Sequence, residues 1–136
     1  MNFKEINLVI SKIKNKAYSP IYFLMGEETY FIDYITRLLE KEVLNKEEES
    51  FNKTIVYGKD SSIDSLISIC KRYPIMSKYQ LVILKEGQEL SRKIENLSNY
   101  VLNPLMTTIL IVNYKYKTID KRKKLFKNIH KFGTII

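Results

Sequence analysis

The residues of this 136-residue chain best placed to do chemistry are Gly26-Glu27-Glu28, directly after the apolar run Ile21-Tyr22-Phe23-Leu24-Met25. A short apolar strand, a glycine turn and a helix form a phosphate cradle in many α/β proteins. Backbone N–H groups and the helix N-terminus attract the anion there, and a lysine completes the charge. This turn has one glycine, no lysine and two carboxylates. Glu27 and Glu28 are expected at the positive end of the next helix, where phosphate meets repulsion instead of donors. The expectation is a nucleotide-binding architecture with a degenerate nucleotide site, and hence an interaction role.

Other candidate chemistry is weaker. Leu81-Val82-Ile83-Leu84 reads as a buried strand. In P-loop ATPases such a strand leads into an acid that holds magnesium. Here Lys85 comes first and Glu86 second. Asn113, at the end of a fourth apolar strand, has two readings: the remnant of a γ-phosphate sensor, or a strand-end Asn that turns the chain. Glu27 and Glu28 as an acid/base pair compete with the simpler account that they stabilise a helix start. His130 has neither Ser nor Cys beside it in sequence. Cys70 falls on the apolar helix face of Ile63, Leu66 and Ile67, where a small core residue is expected rather than a nucleophile. One His and one Cys are too few soft ligands for a structural zinc site. No catalytic residue, metal or cofactor is expected.

The charge is concentrated. Between Lys115 and Lys131, eight basic residues and one acid, Asp120, hold seven of the eight net positive charges. Lys121, Arg122, Lys123, Lys124, Lys127 and Lys131 form the dense part. Two readings stand: a docking surface for phosphate backbone or an acidic partner, or a solvated helix face.

These residues need elements to position them. Phe3, Ile6, Val9, Ile10 and Ile13 recur at helical spacing and predict an opening helix. Ile21–Met25 predicts a strand, 30–45 a helix with Ile32, Ile35, Leu38, Leu39 and Val43 inward, and 45–50 a charged connector. A second strand is expected over 51–57. Asp60 or Ser61 is expected to cap the Cys70 helix. Further expectations are strand 81–84, helix 91–102, strand 107–112 and a last helix. Asp120 would cap that helix, Leu125, Ile129 and Phe132 would face inward, and Gly133 would close it. Thr134-Ile135-Ile136 begins another strand, which suggests the N-terminal part of a longer protein. Strands alternating with helices predict right-handed crossovers and a parallel sheet between helical layers. No apolar run reaches the roughly 20 residues that span a bilayer. The single cysteine fits a cytoplasmic setting. Tyr73-Pro74-Ile75-Met76-Ser77-Lys78 joins the Cys70 helix to the buried strand. Ile75 and Met76 either plug the core or form an exposed apolar tip offered to a partner pocket.

Four segments carry a resemblance. Ile21 through Glu28 resembles the opening strand and G-E-E turn of the delta-subunit family of bacterial DNA polymerase III, and Phe51 through Gly58 resembles its second strand. Pro74-Ile75-Met76-Ser77-Lys78 before Gln80–Leu84 is similar to its clamp-contacting corner. Asp120-Lys121-Arg122-Lys123-Lys124-Leu125 is similar to its D-K-R-x-K-L helix start. The resemblance implies an α/β, AAA+-like (P-loop NTPase-type) three-layer fold with a five-stranded parallel sheet and no working ATP site. It implies one N-terminal clamp-binding domain over 1–136, without the lid and collar domains of a full-length subunit. Pro74, Ile75 and Met76 are the implied clamp contacts, with Met76 where the family commonly has a bulky aromatic. The implied partners are the β sliding clamp, the other clamp-loader subunits (delta prime and gamma/tau) and primed DNA within that complex, with no membrane. The implied role is to open the clamp as a non-catalytic part of the DNA polymerase III holoenzyme. A nucleic-acid-binding module acting through Lys115–Lys131 is the alternative.

Overall fold

The computed structural model describes residues 2–136. Asn2 starts the first helix, α1 (Phe3–Lys14), by accepting the Lys4 N–H at 2.8 Å. The other elements in order are β1 (Ile21–Gly26), α2 (Thr29–Val43), α3 (Lys46–Asn52), β2 (Lys53–Tyr57), α4 (Ile63–Cys70), β3 (Gln80–Lys85), α5 (Ser98–Leu102), β4 (Thr108–Lys115), α6 (Lys124–Phe132) and β5 (Thr134–Ile135). The five strands form one sheet in the order β2-β3-β4-β1-β5, and every pairing is parallel.

Strand periodicity divides the core into two layers. Phe23, Val82, Leu84, Leu110 and Val112 face Leu66 of α4, Val101 of α5, and Leu125 and Ile129 of α6. Tyr22, Leu24, Leu81, Ile83, Ile109 and Ile111 face Ile13 of α1 and Ile32, Ile35 and Leu39 of α2. Burial on both faces explains the unbroken apolar runs of the central strands. The three-layer α/β reading therefore holds. Because β1 pairs with β4 and not with β2, the strand order reverses beside the C-terminal ends of β1 and β4. In open α/β sheets that crevice is where ligands bind.

Several local expectations are corrected. Residues 46–52 are helical, so β2 begins at Lys53 and not at Phe51. Asn45 and Glu48 form a reciprocal capping box, and Glu47, Glu48 and Glu49 occupy the first turn. Both devices favour a helix over the β-propensity of the residues that follow. Ser62, not Asp60 or Ser61, caps α4, accepting from the Ser65 N–H at 3.1 Å. The helix expected over 91–102 is a 3-10 turn (Ile94–Leu97) followed by the short α5. Ile94, Leu97 and Tyr100 are buried at spacings of three, which suits the tighter turn. Asn113 lies inside β4, not at its end, and Lys85 is the last residue of β3 rather than the first beyond it. Asp120 caps a turn, accepting the Arg122 N–H at 2.9 Å. The N-terminus of α6 is served by Glu95, whose Oε1 accepts the Leu125 N–H at 3.3 Å. Phe132 is exposed. Gly133 has extended backbone rather than a left-handed cap. Its bare Cα serves close packing, since a Cβ there would lie 2.9 Å from the Ile21 carbonyl oxygen. Phe3 is 70 % exposed and rests edge-on against Phe31.

Candidate functional site: a strand-end turn, an apolar corner and a basic face

The Gly26 turn stands at the switch-point crevice. Gly26 has φ +116°, a conformation glycine adopts without penalty. Its N–H donates to the Lys117 carbonyl at 3.0 Å, and its carbonyl accepts from the Tyr116 N–H at 2.9 Å. That amide is therefore committed to the loop after β4. Glu27 and Glu28 are exposed. Helix α2 starts only at Thr29, and Glu28 at its N-cap position makes no capping hydrogen bond. Neither acid lies in the first helical turn, so the expected cap-like stabilisation is not formed through a side-chain bond.

Lys115, Asn113 and Thr36, near this crevice, are engaged within the protein. Lys115 pairs in register with Gly26, and its Nζ lies 2.9 Å from Asp33 Oδ1 on α2. Asn113 is buried, and its Nδ2 donates to Thr36 Oγ1 at 2.8 Å. Thr36 in turn donates to the Ile32 carbonyl at 2.8 Å. The Asn113 side chain thus ties β4 to α2. It does not turn the chain.

The Pro74 corner follows α4. Tyr73, Ile75 and Met76 are exposed, Ile75 at 56 % and Met76 at 98 %, so neither Ile75 nor Met76 plugs the core. Met76 has φ +50°, an uncommon region for a non-glycine residue. The main chain of Ile75 is held by Asn52, the buried last residue of α3. Ser77 donates to Glu48 Oε2 at 2.6 Å. Hydrogen bonds from the Asn45 N–H and from Ser77 hold the Glu48 carboxyl below its ordinary range. The corner is thus tied to α3 on both sides of its tip. Neither Asn52 nor Phe51 stands out by residue type. Their signal is the Asn45-x-x-Glu48 capping box, which places both at the end of a helix beside the corner.

The basic segment divides into engaged and free charges. Lys115 pairs with Asp33, and Arg122 pairs with Asp120 at 3.0 Å. The guanidinium holds the Asp120 carboxyl down to about 2. Lys121 lies 6.0 Å from the centroid of the Phe126 ring, and Lys131 lies 5.2 Å from that of Phe132. Lys123, Lys124, Lys127 and Lys131 are exposed, while Leu125 and Ile129 face the core. His130 is exposed and stacks on Phe126. Cys70 is buried, and burial pushes its thiol up to about 12, which suits a core residue and not a nucleophile. Among the described residues, no helix is long and apolar enough to cross a membrane. Among them, too, no cluster of three His, Cys, Asp or Glu is arranged to hold a metal ion.

Comparison with known proteins gives these features a context. The family described as DNA polymerase III, delta subunit, matches residues 22–136. The DNA polymerase III subunit delta of Bacillus subtilis (strain 168) is 28 % identical over 132 residues, covering 90 % of this chain and 38 % of that protein. The solved DNA clamp loader delta protein of Bacillus subtilis superposes with a TM-score of 0.83 at 24 % identity, over 96 % of this chain and 41 % of that one. A DNA polymerase III gamma subunit-related protein of Thermotoga maritima superposes with a TM-score of 0.59 at 12 % identity, over 97 % of this chain and 45 % of that one. These two likenesses establish a shared fold. The chain spans less than half the length of each of these relatives.

Proposed function

Because this chain belongs to the DNA polymerase III delta-subunit family, we propose that it is a non-catalytic clamp-loader domain that binds and opens the β sliding clamp. Ile75 and Met76 are the anchors, carried on the Pro74 corner. One observation carries this reading most directly: two adjacent apolar side chains stand exposed on a corner whose backbone is fixed from both sides. An apolar tip that enters a partner pocket gains the full burial energy only when it is held in place beforehand.

The Gly26 turn supports the non-catalytic part. Its amide is engaged, its carboxylates repel phosphate, and the nearby Lys115 is paired with Asp33. ATP hydrolysis then belongs to neighbouring subunits of a loader whose other members are delta prime and gamma/tau. In this reading the basic face over Lys121, Arg122, Lys123, Lys124, Lys127 and Lys131 meets primed DNA within the assembled loader. The free lysines along α6 favour that contact. A module acting on nucleic acid alone through Lys115–Lys131 is the competing reading, and it predicts DNA binding without clamp binding.

The test is a titration of immobilised chain with purified cognate β clamp. Saturable binding is expected. Burying a side chain of this size contributes about 1.5–3 kcal/mol. Ile75→Ser with Met76→Ser should therefore weaken binding by at least about tenfold while the fold persists, since 1.4 kcal/mol is one decade. A folded double variant that binds like the parent would overturn the site.

A further inference from the structure

Asn52 is 3 % exposed, and its carboxamide grips Ile75 at two points. Oδ1 accepts the Ile75 N–H at 2.6 Å, and Nδ2 donates to the Ile75 carbonyl at 2.8 Å. The same Nδ2 reaches the Glu48 carbonyl at 3.1 Å within α3. Ser77, on the far side of Met76, is bound to Glu48 as well. Both neighbours of Met76 are therefore fastened to one helix. The residue before Asn52 is Phe51, which is 72 % exposed. Phe51, Asn52, Ile75 and Met76 line one hollow together with the acids Glu47 and Glu48. Three large apolar side chains from two distant segments thus meet at one exposed surface, the arrangement that marks a contact site.

We propose that the clamp-contacting surface is built from two segments: Phe51 is a third contact residue, and Asn52 is the positioning residue that locks α3 and the corner into one unit before binding. The occupant is the β clamp, and the inference rests on the reading of Ile75 and Met76 given above. The hollow continues directly from those residues, so a partner seated on Met76 also covers Phe51. A two-point carboxamide bond to the backbone removes the freedom that an exposed six-residue corner otherwise has. Ordering then does not have to be supplied by the partner on binding.

The test measures clamp affinity for the parent, Phe51→Ser, Ile75→Ser/Met76→Ser and Asn52→Ala. Phe51→Ser is expected to lower affinity at least fivefold with an unchanged circular dichroism spectrum and melting temperature. If Ile75→Ser/Met76→Ser loses tenfold while Phe51→Ser stays within twofold of the parent, Phe51 is not a contact and the proposal falls, though the corner site stands. If neither set changes affinity, the corner site itself is wrong and both fall. Asn52→Ala is expected to weaken binding at least threefold and to speed hydrogen exchange at the Ile75 amide at least tenfold, with β1 and β4 still protected. A folded Asn52→Ala that binds like the parent overturns the positioning role. Should that variant not fold, Asn52→Asp takes its place, since it keeps the acceptor for the Ile75 N–H and removes the donor to the Ile75 carbonyl.

Discussion

Asn113 on β4 and Thr36 on α2 are joined by a buried hydrogen bond of 2.8 Å, and Thr36 passes the chain on to the Ile32 carbonyl. The bond crosses from the sheet to the helical layer beside the switch-point crevice. A side chain that reads in sequence as a phosphate-sensor remnant or as a strand-end turn is instead directed under α2 and hydrogen-bonded there. Its role is to fix the distance between α2 and β4.

That bond makes a stability prediction. Thr36→Val keeps the shape and removes the acceptor, which leaves the Asn113 amide buried without a partner. The cost of such an orphan is about 1–3 kcal/mol. Urea denaturation should show a loss in that range. Replacing both residues with apolar ones, Thr36→Val with Asn113→Leu, should cost less than the single change. A single variant as stable as the parent would mean the bond contributes nothing.

The crevice makes a second prediction: the chain shows no saturable heat when ATP and magnesium are titrated into it. The Gly26 amide is occupied by the Lys117 carbonyl, and Lys115 is neutralised by Asp33 at 2.9 Å. Exposed Glu27 and Glu28 add repulsion. Restoring a lysine in the turn, as in Glu28→Lys, should not rescue binding, because the amide stays engaged. Micromolar ATP affinity in the parent would refute the account.

Much of this was legible in sequence, for physical reasons. Val82, Leu84, Leu110 and Val112 are buried on a sheet covered from both sides, so their apolar runs announce the parallel sheet directly. The Gly26-Glu27-Glu28 turn falls where the strand pattern puts it. The misreadings share a cause, which is that a local signal lost to a neighbour. Phe51 looks like a strand residue, yet the Asn45–Glu48 capping box carries it into α3. Asp120 looks like a helix cap, yet Arg122 takes both its oxygens and Glu95, from 30 residues away, serves α6. The grip of Asn52 on Ile75 spans 23 residues and depends on side-chain placement that periodicity does not encode.

Cys70 yields a prediction about reactivity and pH. Burial raises its thiol from 9.0 to about 12. The folded chain should resist an aromatic disulfide reagent and react fully only in denaturant. The raised value also has a sign. Below about pH 9 the thiol is neutral in both states and its contribution is intact. Between 9 and 12 the unfolded chain loses the proton while the folded chain keeps it, so stability falls as pH rises. Cys70→Ala should flatten that alkaline slope. A native thiol that reacts within seconds would place Cys70 at the surface.

The basic face gives the last prediction. Lys123, Lys127 and Lys131 are exposed, and Leu125 and Ile129 anchor the opposite side of α6 to the core. Among the described residues none of these three lysines has a carboxylate partner within ion-pair distance, unlike Lys115 and Arg122. Free lysines on a fixed helix bind a phosphate backbone through counterion release, without reading bases. Weak DNA binding that falls steeply with salt is therefore expected, equal for different duplex sequences. Changing all three to Gln should leave the melting temperature unaltered, since all three residues are exposed. It should lower the slope of log affinity against log salt by about 2 to 3, near 0.9 for each phosphate no longer neutralised. An unchanged slope in the triple variant would reduce the patch to a solvated face. DNA binding by the parent together with failure to bind the clamp would favour the nucleic-acid module over the clamp-loader domain.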